Sequence, residues 1–267
     1  MMAMDPMTPP SQSIYQMLMF CGDSHLRQFR EHAGVAIFSL TYFPGATMKG
    51  LASPRGAVGH RQAILTLVTV PTPKTLFLMF GNVDLDVTWF RKSVLEGQLD
   101  EEDFFRQRCH ALTEFVEECR RVAGGTVGRT CVILPQLPTV ADPHFVETTA
   151  LTSRLEERQL ADLAAAQDCS HLERCHRTAR FNDYISQNVP IGDDLAVYRI
   201  DDQMADETGL ILPQFVREGA ANVHATEATL PLWQALLQDE VPEYRVMEEL
   251  RRQALGQSPT VLQDPAG

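Results

Sequence analysis

A serine directly follows the first apolar run of the chain, in the segment Gly22-Asp23-Ser24-His25. A hydroxyl at the end of a buried strand can face a cleft and act as a nucleophile when a base removes its proton. It would also stand near the start of the next helix, where the backbone amides favour negative charge. The same residues have a structural alternative, in which Asp23 or Ser24 is the N-cap of that helix.

Two further loops carry groups that are able to stabilise an oxyanion. After the second apolar run, Gly45 and Gly50 let the backbone approach a ligand closely and present its amides. After the third run, Asn82 can donate a side-chain hydrogen bond to developing charge, and Asp84 can brace the loop. An ordinary glycine turn and a polar turn after a strand are the alternatives for these two segments.

A histidine far along the chain could supply the base. His224 ends the segment Asn222-Val223-His224, shortly before an apolar helix that is expected near Thr229. A loop histidine can act as the general base for Ser24 if it reaches the same edge of the sheet. The alternative is a surface or helix-capping residue.

The hydrophobic pattern predicts the elements that must position these groups. Strands are expected over 14–21, 34–42, 75–80, 129–134 and 194–200. Helices are expected over 60–67, 100–123, 151–188 with a break near Cys169, 229–237 and 243–255. Strands that alternate with helices indicate a parallel sheet covered on both faces. Ligands bind at the carboxyl ends of such strands, which is where Ser24 and Asn82 are found.

Composition excludes several classes of partner. The 267 residues include 23 Lys and Arg against 35 Asp and Glu, a net charge of -12 that repels nucleic acids and anionic membranes. Six cysteines without a disulfide pattern indicate a reducing, cytoplasmic location. We expect one domain over residues 14–255, with flexible tails at 1–13 and 256–267, and the oligomeric state stays open.

Together, the Gly-Asp-Ser block, the glycine block, the Gly-Asn-Val-Asp block and the late histidine resemble the SGNH hydrolases, the GDSL-type esterases and acyltransferases. The chain looks like a divergent branch of that superfamily. The resemblance implies a flavodoxin-like three-layer α/β/α sandwich with a five-stranded parallel sheet. It also implies a serine-dependent ester hydrolase or O-acyltransferase that acts on an acylated small metabolite or glycan precursor, with no cofactor and no metal.

Carried onto this sequence, the resemblance makes Ser24 the nucleophile and His224 the base. The Ser24 amide, the Gly50 amide (or that of Gly45) and the Asn82 side chain would bind the oxyanion. The remaining polar and glycine residues of these blocks are expected to bind substrate or brace the loops: Asp23, His25, Gly45, Asp84 and Asp86.

The sequence departs from the family pattern at the acid, which lies three residues before the histidine and is Ala221 here. Loss of the acid from a serine triad costs ~10⁴ in turnover. Another carboxylate (Glu227, Asp206 or Asp86) or a backbone carbonyl could orient His224, or the protein could be a weak hydrolase.

A second departure concerns the asparagine block. If Asp84 is aligned with the aspartate of the family, Val83 falls at the asparagine position and Asn82 would point differently. Loss of one oxyanion donor costs about 10²–10³ in rate.

Two other functions compete with the esterase interpretation. Asp23, His25 and the Gly81–Asp84 segment superficially resemble a dinuclear metallophosphoesterase, although the chain lacks a Gly-Asp-x-x-Asp block between these elements and a Gly-His-x-His near its end. A non-catalytic binding module on the same fold would tolerate Ala221.

Two more groups of residues have a functional and a structural interpretation. His171 and Cys175 stand one helical turn apart, but their spacing matches no common zinc framework. Trp89 and Phe90 could line an acyl or sugar pocket, with core packing as the alternative.

Overall fold

The architecture is a five-stranded parallel sheet in the order β2-β1-β3-β4-β5. This computed structural model describes residues 16–153, 155–165, 169–216, 224 and 227–256. The strands are β1 (Met17–Gly22), β2 (Phe38–Tyr42), β3 (Lys74–Met79), β4 (Val127–Ile133) and β5 (Leu195–Tyr198). The central strand β3 is buried along its whole length, as expected for a parallel sheet covered on both faces. The predicted α/β fold class is confirmed.

Helices cover both faces of the sheet. They are α1 (His60–Val68), α2 (Trp89–Glu96), α3 (Glu101–Ala123), α4 (Asp142–Ser153), α5 (Glu157–Ala165), α6 (His171–Asn188), α7 (Asp201–Met204), α8 (Leu230–Glu240) and α9 (Pro242–Ala254). Short 3-10 helices occupy Ser24–His32, Lys49–Ala52, Pro213–Phe215 and Glu227–Thr229, and a π-helical turn spans Asp84–Thr88.

Two hydrophobic cores result from the alternation of side chains along the strands. Leu76 and Leu78 of β3 belong to the core on one face, together with α1 and α3. Phe77 and Met79 belong to the core on the other face, together with α8 and α9. The alternation fixes which face of the sheet each helix covers.

Three elements differ from the expectation. The second strand begins only at Phe38, because Gly34 has a φ of +103°, outside the range of an extended chain. The long predicted helix does break near Cys169, where the Ser170 hydroxyl caps α6 by accepting a hydrogen bond from the Glu173 amide, but its first part is divided into α4 and α5, and α4 begins already at Asp142. Helix α2 was not predicted.

The predicted N-terminal tail (1–13) and all of the predicted C-terminal tail except Gly256 lie outside the described residues. The division into one domain and two tails stays a prediction. In the part of the chain that the structure describes, no helix is long and apolar enough to cross a membrane.

Candidate active site

The carboxyl ends of β1 and β3 meet at one edge of the sheet. Gly22, the last residue of β1, pairs with Met79 at the end of β3 and with Tyr42 at the end of β2. A Cβ atom at Gly22 would lie 2.4 Å from the Met79 carbonyl oxygen, so this close approach requires glycine. The Asp23 amide donates to the same oxygen at 2.9 Å. The residues after Gly22 are therefore fixed at this rim.

Asp23, rather than Ser24, caps the 3-10 helix that follows β1. Its Oδ1 accepts a hydrogen bond from the His25 backbone amide at 2.9 Å and lies 3.0 Å from Nδ1 of the His25 ring. Ser24 is 8% exposed. Its amide opens the helix and has no intrahelical acceptor. Of the two residues that could cap this helix, Asp23 is the cap. The Ser24 hydroxyl is not used for capping.

His25 lies between two carboxylates. Besides the Asp23 contact, its Nε2 is 3.9 Å from Oδ2 of Asp86. Burial raises the pKa of Asp86 to about 6, although the nearby His25 and Arg174 oppose this rise. Asp23 therefore orients the imidazole of His25 through Nδ1, and Asp86 is a nearby negative charge on the Nε2 side.

The late histidine reaches this cluster. The ring centroids of His25 and His224 are 5.2 Å apart. The Thr139 hydroxyl donates to the His224 carbonyl oxygen at 3.3 Å, which attaches the histidine to the loop after β4. The Thr229 hydroxyl donates to Oε1 of Gln28 at 2.8 Å, which attaches the following segment to the helix that Ser24 opens. The fold thus brings His224 against the residue next to Ser24.

The three carboxylates considered as substitutes for the missing acid have different surroundings. Oδ1 of Asp206 accepts hydrogen bonds from the Thr208 amide and hydroxyl, so it is used within its own turn. Glu227 is exposed at the start of a 3-10 helix. Asp86 is the one of the three that lies in the histidine cluster. Ala221 itself lies outside the described residues, as do residues 222 and 223.

The two glycines of the glycine block have different environments. The Gly50 amide donates to the carbonyl oxygen of Thr47 at 3.1 Å and to its hydroxyl at 3.0 Å. A Cβ at Gly50 would lie 2.6 Å from the His60 ring, so glycine is required there by packing. Gly45 has a φ of +74°, and among the described residues its amide has no hydrogen-bond acceptor. The Gly50 amide is therefore already used within its own turn, whereas the exposed Gly45 amide is not.

Asp84 braces the glycine block. Its Oδ2 accepts a hydrogen bond from the Met48 amide at 2.6 Å, and its Oδ1 accepts one from Nε of Arg108 at 3.0 Å. Both Asp84 and Arg108 are buried. This buried ion pair connects the end of β3, the glycine block and α3.

Only one of the two polar atoms of the Asn82 side-chain amide makes a hydrogen bond to a described residue. Its Oδ1 accepts a hydrogen bond from the Gln136 backbone amide at 3.3 Å, which orients the group. Its Nδ2 is buried and has no hydrogen-bond partner within the described ranges. A buried donor without a partner costs about 1–3 kcal/mol, which a bound acceptor would recover. The neighbouring Val83 is also buried, as an apolar side chain without such a donor.

Gln136 is a polar residue of the rim that the sequence analysis did not single out. It lies in the loop after β4 and is 4% exposed. Neither atom of its side-chain amide has a hydrogen-bond partner in the described chain. In the sequence, Gln136 is noticeable only as a polar residue between Pro135 and Pro138. These prolines predict the end of a strand and give no indication of a functional side chain.

A narrow cavity adjoins the histidine cluster, with room for about one water-sized group. Its polar lining includes Asp86, Thr139 and Arg174. Thr139 also holds the His224 backbone, and Asp86 contacts His25, so the cavity borders the same cluster.

The two remaining groups of residues, His171 with Cys175 and Trp89 with Phe90, lie in packed surroundings that fit a structural role. Nε2 of His171 lies 2.7 Å from the Pro138 carbonyl oxygen, and Cys175 is buried in the core. Trp89 and Phe90 are buried too, with the guanidinium of Arg177 stacked on the Trp89 ring. A search of the described residues finds no group of three or more His, Cys, Asp and Glu side chains that could hold a metal ion.

Comparison with known proteins gives matches only at the level of structure. No family model and no curated protein sequence matches the chain. A structure from Streptococcus pneumonia, described as a candidate platelet activating factor, is similar with a TM-score of 0.51 and 12% identity over 85% of each chain.

Two further solved structures share less of the geometry. A candidate acylhydrolase from Bacteroides fragilis has a TM-score of 0.39 and 14% identity over 92% of this chain and 89% of its own. A GDSL-like lipase from Bacteroides thetaiotaomicron has a TM-score of 0.37 and 13% identity over 91% and 88%. The first of the three matches supports a shared α/β fold over most of both chains.

Proposed function

We propose that the chain is a serine-dependent ester hydrolase or O-acyltransferase with Ser24 as nucleophile and His224 as base. The observation that carries this proposal is the contact of the His224 ring with His25, the residue next to Ser24, at the rim where β1 and β3 end. Nucleophile and base must lie close together for proton transfer, and the proximity of His224 to the residue next to Ser24 supports such an arrangement.

In the proposed reaction, Oγ of Ser24 attacks the ester carbonyl while its proton passes to the His224 imidazole. The tetrahedral intermediate then releases the alcohol, which takes the proton from His224 and leaves an acyl group on Ser24. Water or an acceptor hydroxyl attacks the acyl-enzyme in the second half, with His224 again taking the proton. Hydrolysis or transfer depends on which of these acceptors reaches the acyl group.

Three donors are proposed for the oxyanion: the Ser24 amide, the Gly45 amide and Nδ2 of Asn82. Within the described chain each of them lacks a hydrogen-bond acceptor, so a bound oxyanion displaces no internal bond. Donors fixed before the reaction are the ones that lower a barrier, because they need no reorganisation. The Gly50 amide, which already donates to Thr47, is the weaker candidate.

His25 is proposed as a positioning residue for His224. Asp23 contacts Nδ1 of its ring, Asp86 lies 3.9 Å from its Nε2, and its ring packs at a tilt of 53° near the His224 ring. A fixed neighbour limits the orientations of the His224 imidazole, which is one task of the acid in a serine triad. Asp86 would then act through His25 and replace part of the role lost at Ala221.

The proposed substrate is an acylated small metabolite or glycan precursor in the cytoplasm. All six cysteines are free and buried, which is compatible with a reducing compartment. No metal or organic cofactor is required by the steps above.

The test is covalent labelling of the full chain with a fluorophosphonate probe, read by intact-protein mass spectrometry. We expect one adduct on the unmodified sequence, none on Ser24→Ala and slow labelling of His224→Ala. The matched control is Ser186→Ala, because the Ser186 hydroxyl of α6 has no hydrogen bond to a described residue and its loss should leave labelling unchanged.

The alternatives give different results in the same experiment. Absence of an adduct on a folded chain would contradict the esterase proposal and favour a non-catalytic binding module. Absence of an adduct together with stoichiometric metal would favour the phosphoesterase.

A further inference from the structure

A groove of about 570 Å³ lies between the glycine block and helices α2 and α3. We call it the basic groove, and its polar lining includes Thr47, Lys49, Thr88, Lys92, Arg108 and His110. The volume lies in the range of pockets that bind small molecules. Gly50 also lines the groove, so the groove includes part of the glycine block that follows β2.

The charge of the basic groove is opposite to that of the whole chain. The protein has a net charge of -12, yet no Asp or Glu is among the described residues that line this groove. Two of the three lysines in the sequence, Lys49 and Lys92, lie here. Partial burial and the neighbouring charges of Arg108 and Lys92 lower the pKa of Lys49. The positive groups are thus close enough to affect one another.

Arg108 is paired with the buried Asp84, whereas two other positive or titratable groups of the groove have only exposed acidic partners. Nζ of Lys92 is 3.0 Å from Glu96, and Nε2 of His110 is 3.3 Å from Glu114. Both carboxylates are more than half exposed, and such surface pairs contribute little.

Among the described residues, no carboxylate pairs directly with Lys49. It donates to the neutral Oε1 of Gln107 at 2.7 Å, and Gln107 in turn donates to Asp103 at 2.7 Å. An incoming anion would therefore compete with exposed or indirect partners at Lys49, Lys92 and His110, whereas Arg108 keeps its buried partner Asp84.

Arg108 provides a second, independent sign of a ligand. It is 1% exposed, its Nε donates to Asp84, and its Nη1 donates to the Phe104 carbonyl oxygen at 3.1 Å. Its Nη2 is buried without a hydrogen-bond partner in the described part of the chain. A guanidinium nitrogen that is desolvated and unpaired is costly unless a ligand accepts from it.

We propose that the basic groove binds a phosphate or diphosphate group carried by the ester substrate. Four cationic or titratable nitrogen side chains suit a multiply charged phosphate better than a single carboxylate, because each phosphate oxygen accepts a charge-assisted hydrogen bond. The inference rests on the proposed function for the ester part of the substrate. It narrows that substrate to phosphorylated acyl esters.

Titration calorimetry with inorganic pyrophosphate on the full chain tests the groove without requiring catalysis. We expect saturable binding that is about tenfold weaker in Lys49→Gln and in Lys92→Gln, since each removes a charged hydrogen bond. Arg158→Gln removes the same charge from the exposed surface of α5 and should leave the affinity unchanged. Ser24→Ala should also bind pyrophosphate normally.

Two results would overturn the proposal. One is pyrophosphate binding that is absent, or equally strong in the lysine variants and the Arg158→Gln control. The other is succinate that binds as tightly as pyrophosphate with the same dependence on Lys49 and Lys92, because the groove would then recognise carboxylates.

The groove and the esterase proposal can fail separately. Pyrophosphate binding that depends on the lysines, with no fluorophosphonate adduct on Ser24, would leave the groove in place and remove the ester chemistry. An adduct on Ser24 with lysine-independent pyrophosphate binding would remove only the phosphate inference.

Discussion

At the scale of single residues, the rim contains side chains whose hydrogen-bonding capacity is only partly used. Asn82 has one side-chain atom bonded and the other buried without a partner in the described chain, and Gln136 has neither bonded. Folded proteins rarely leave such groups unpaired, and exceptions are common where a ligand binds. Both residues therefore have hydrogen-bonding capacity that a bound substrate could use.

We expect Asn82→Ala to lower kcat for a simple ester such as 4-nitrophenyl acetate by about 10²–10³, because one oxyanion donor is lost. KM should change little, since the donor acts mainly on the transition state. The control is Asn188→Ala, which removes an exposed amide that bonds only within α6. Equal kcat in the two variants would exclude Asn82 from the oxyanion site.

The partly buried Asp86 predicts a pH effect on stability. Its pKa is raised from 3.8 to about 6 in the folded chain, so it favours folding below pH 3.8, and this contribution is lost as the pH rises through 6. Asp86→Asn should therefore gain stability relative to the unsubstituted chain between pH 4 and pH 7, on the order of 2 kcal/mol. Urea unfolding at both pH values measures it, with Asp239→Asn as an exposed control. A difference that is independent of pH would contradict the assignment.

At the scale of elements, a buried ion pair sets the position of the glycine block. Asp84, in the turn after β3, bonds the Met48 amide and Arg108 of α3 at once. Three segments that are distant in sequence therefore depend on one carboxylate. This connection fixes the block beside the Ser24 rim.

Asp84→Ala is expected to lower the free energy of unfolding by about 3–5 kcal/mol, because it leaves the Arg108 charge buried and uncompensated. Glu114→Ala removes the exposed partner of His110 on the same helix and should cost less than about 1 kcal/mol. Urea denaturation compares the two. Similar losses would mean that the buried pair does not hold the block.

At the scale of the whole molecule, a buried cluster joins the two ends of the described chain. Nε2 of His32 lies 2.5 Å from Oε1 of Glu248 and 3.0 Å from the Tyr244 hydroxyl. Burial raises the pKa of Glu248, but the bonds to His32 and Arg251 outweigh it and hold this pKa below the usual 4.5. Helix α9 is thereby fixed against the helix that Ser24 opens.

The Glu248 carboxylate consequently stabilises the fold when the pH is above the pKa that this group has in the unfolded chain. This contribution is lost as the pH falls through its lower pKa in the folded chain. Glu248→Gln should lower the free energy of unfolding by on the order of 2 kcal/mol at pH 7, and the difference should shrink below pH 4.5. Glu249→Gln is the exposed neighbour for comparison. A loss that persists in acid would contradict the role of the charge.

The sheet was predictable because each strand is a short, largely apolar run bounded by glycine, proline or a polar residue. After β1 the sequence predicted a cap at Asp23 or Ser24, but the choice of Asp23 and the close approach at Gly22 required coordinates. The break near Cys169 was predicted, whereas the separation of α4 from α5 and the presence of α2 were not, because tertiary contacts decide them. Arg177 stacked on Trp89 illustrates such a contact across distant segments.

The candidate site was predictable only in part. Ser24 and Asn82 follow strands, which identified their place, whereas the preference between Gly45 and Gly50 depends on the Thr47 hydrogen bonds that no pattern reveals. The acidic partners of His25 come from two loops and required coordinates.

A crystal structure of the chain after reaction with a fluorophosphonate tests the central claim most directly. The account predicts phosphorus bonded to Oγ of Ser24, with its oxygen about 2.7–3.1 Å from Nδ2 of Asn82 and an imidazole nitrogen of His224 within ~3–4 Å of Oγ. An adduct whose oxygen faces solvent, with His224 turned away from Ser24, would contradict it.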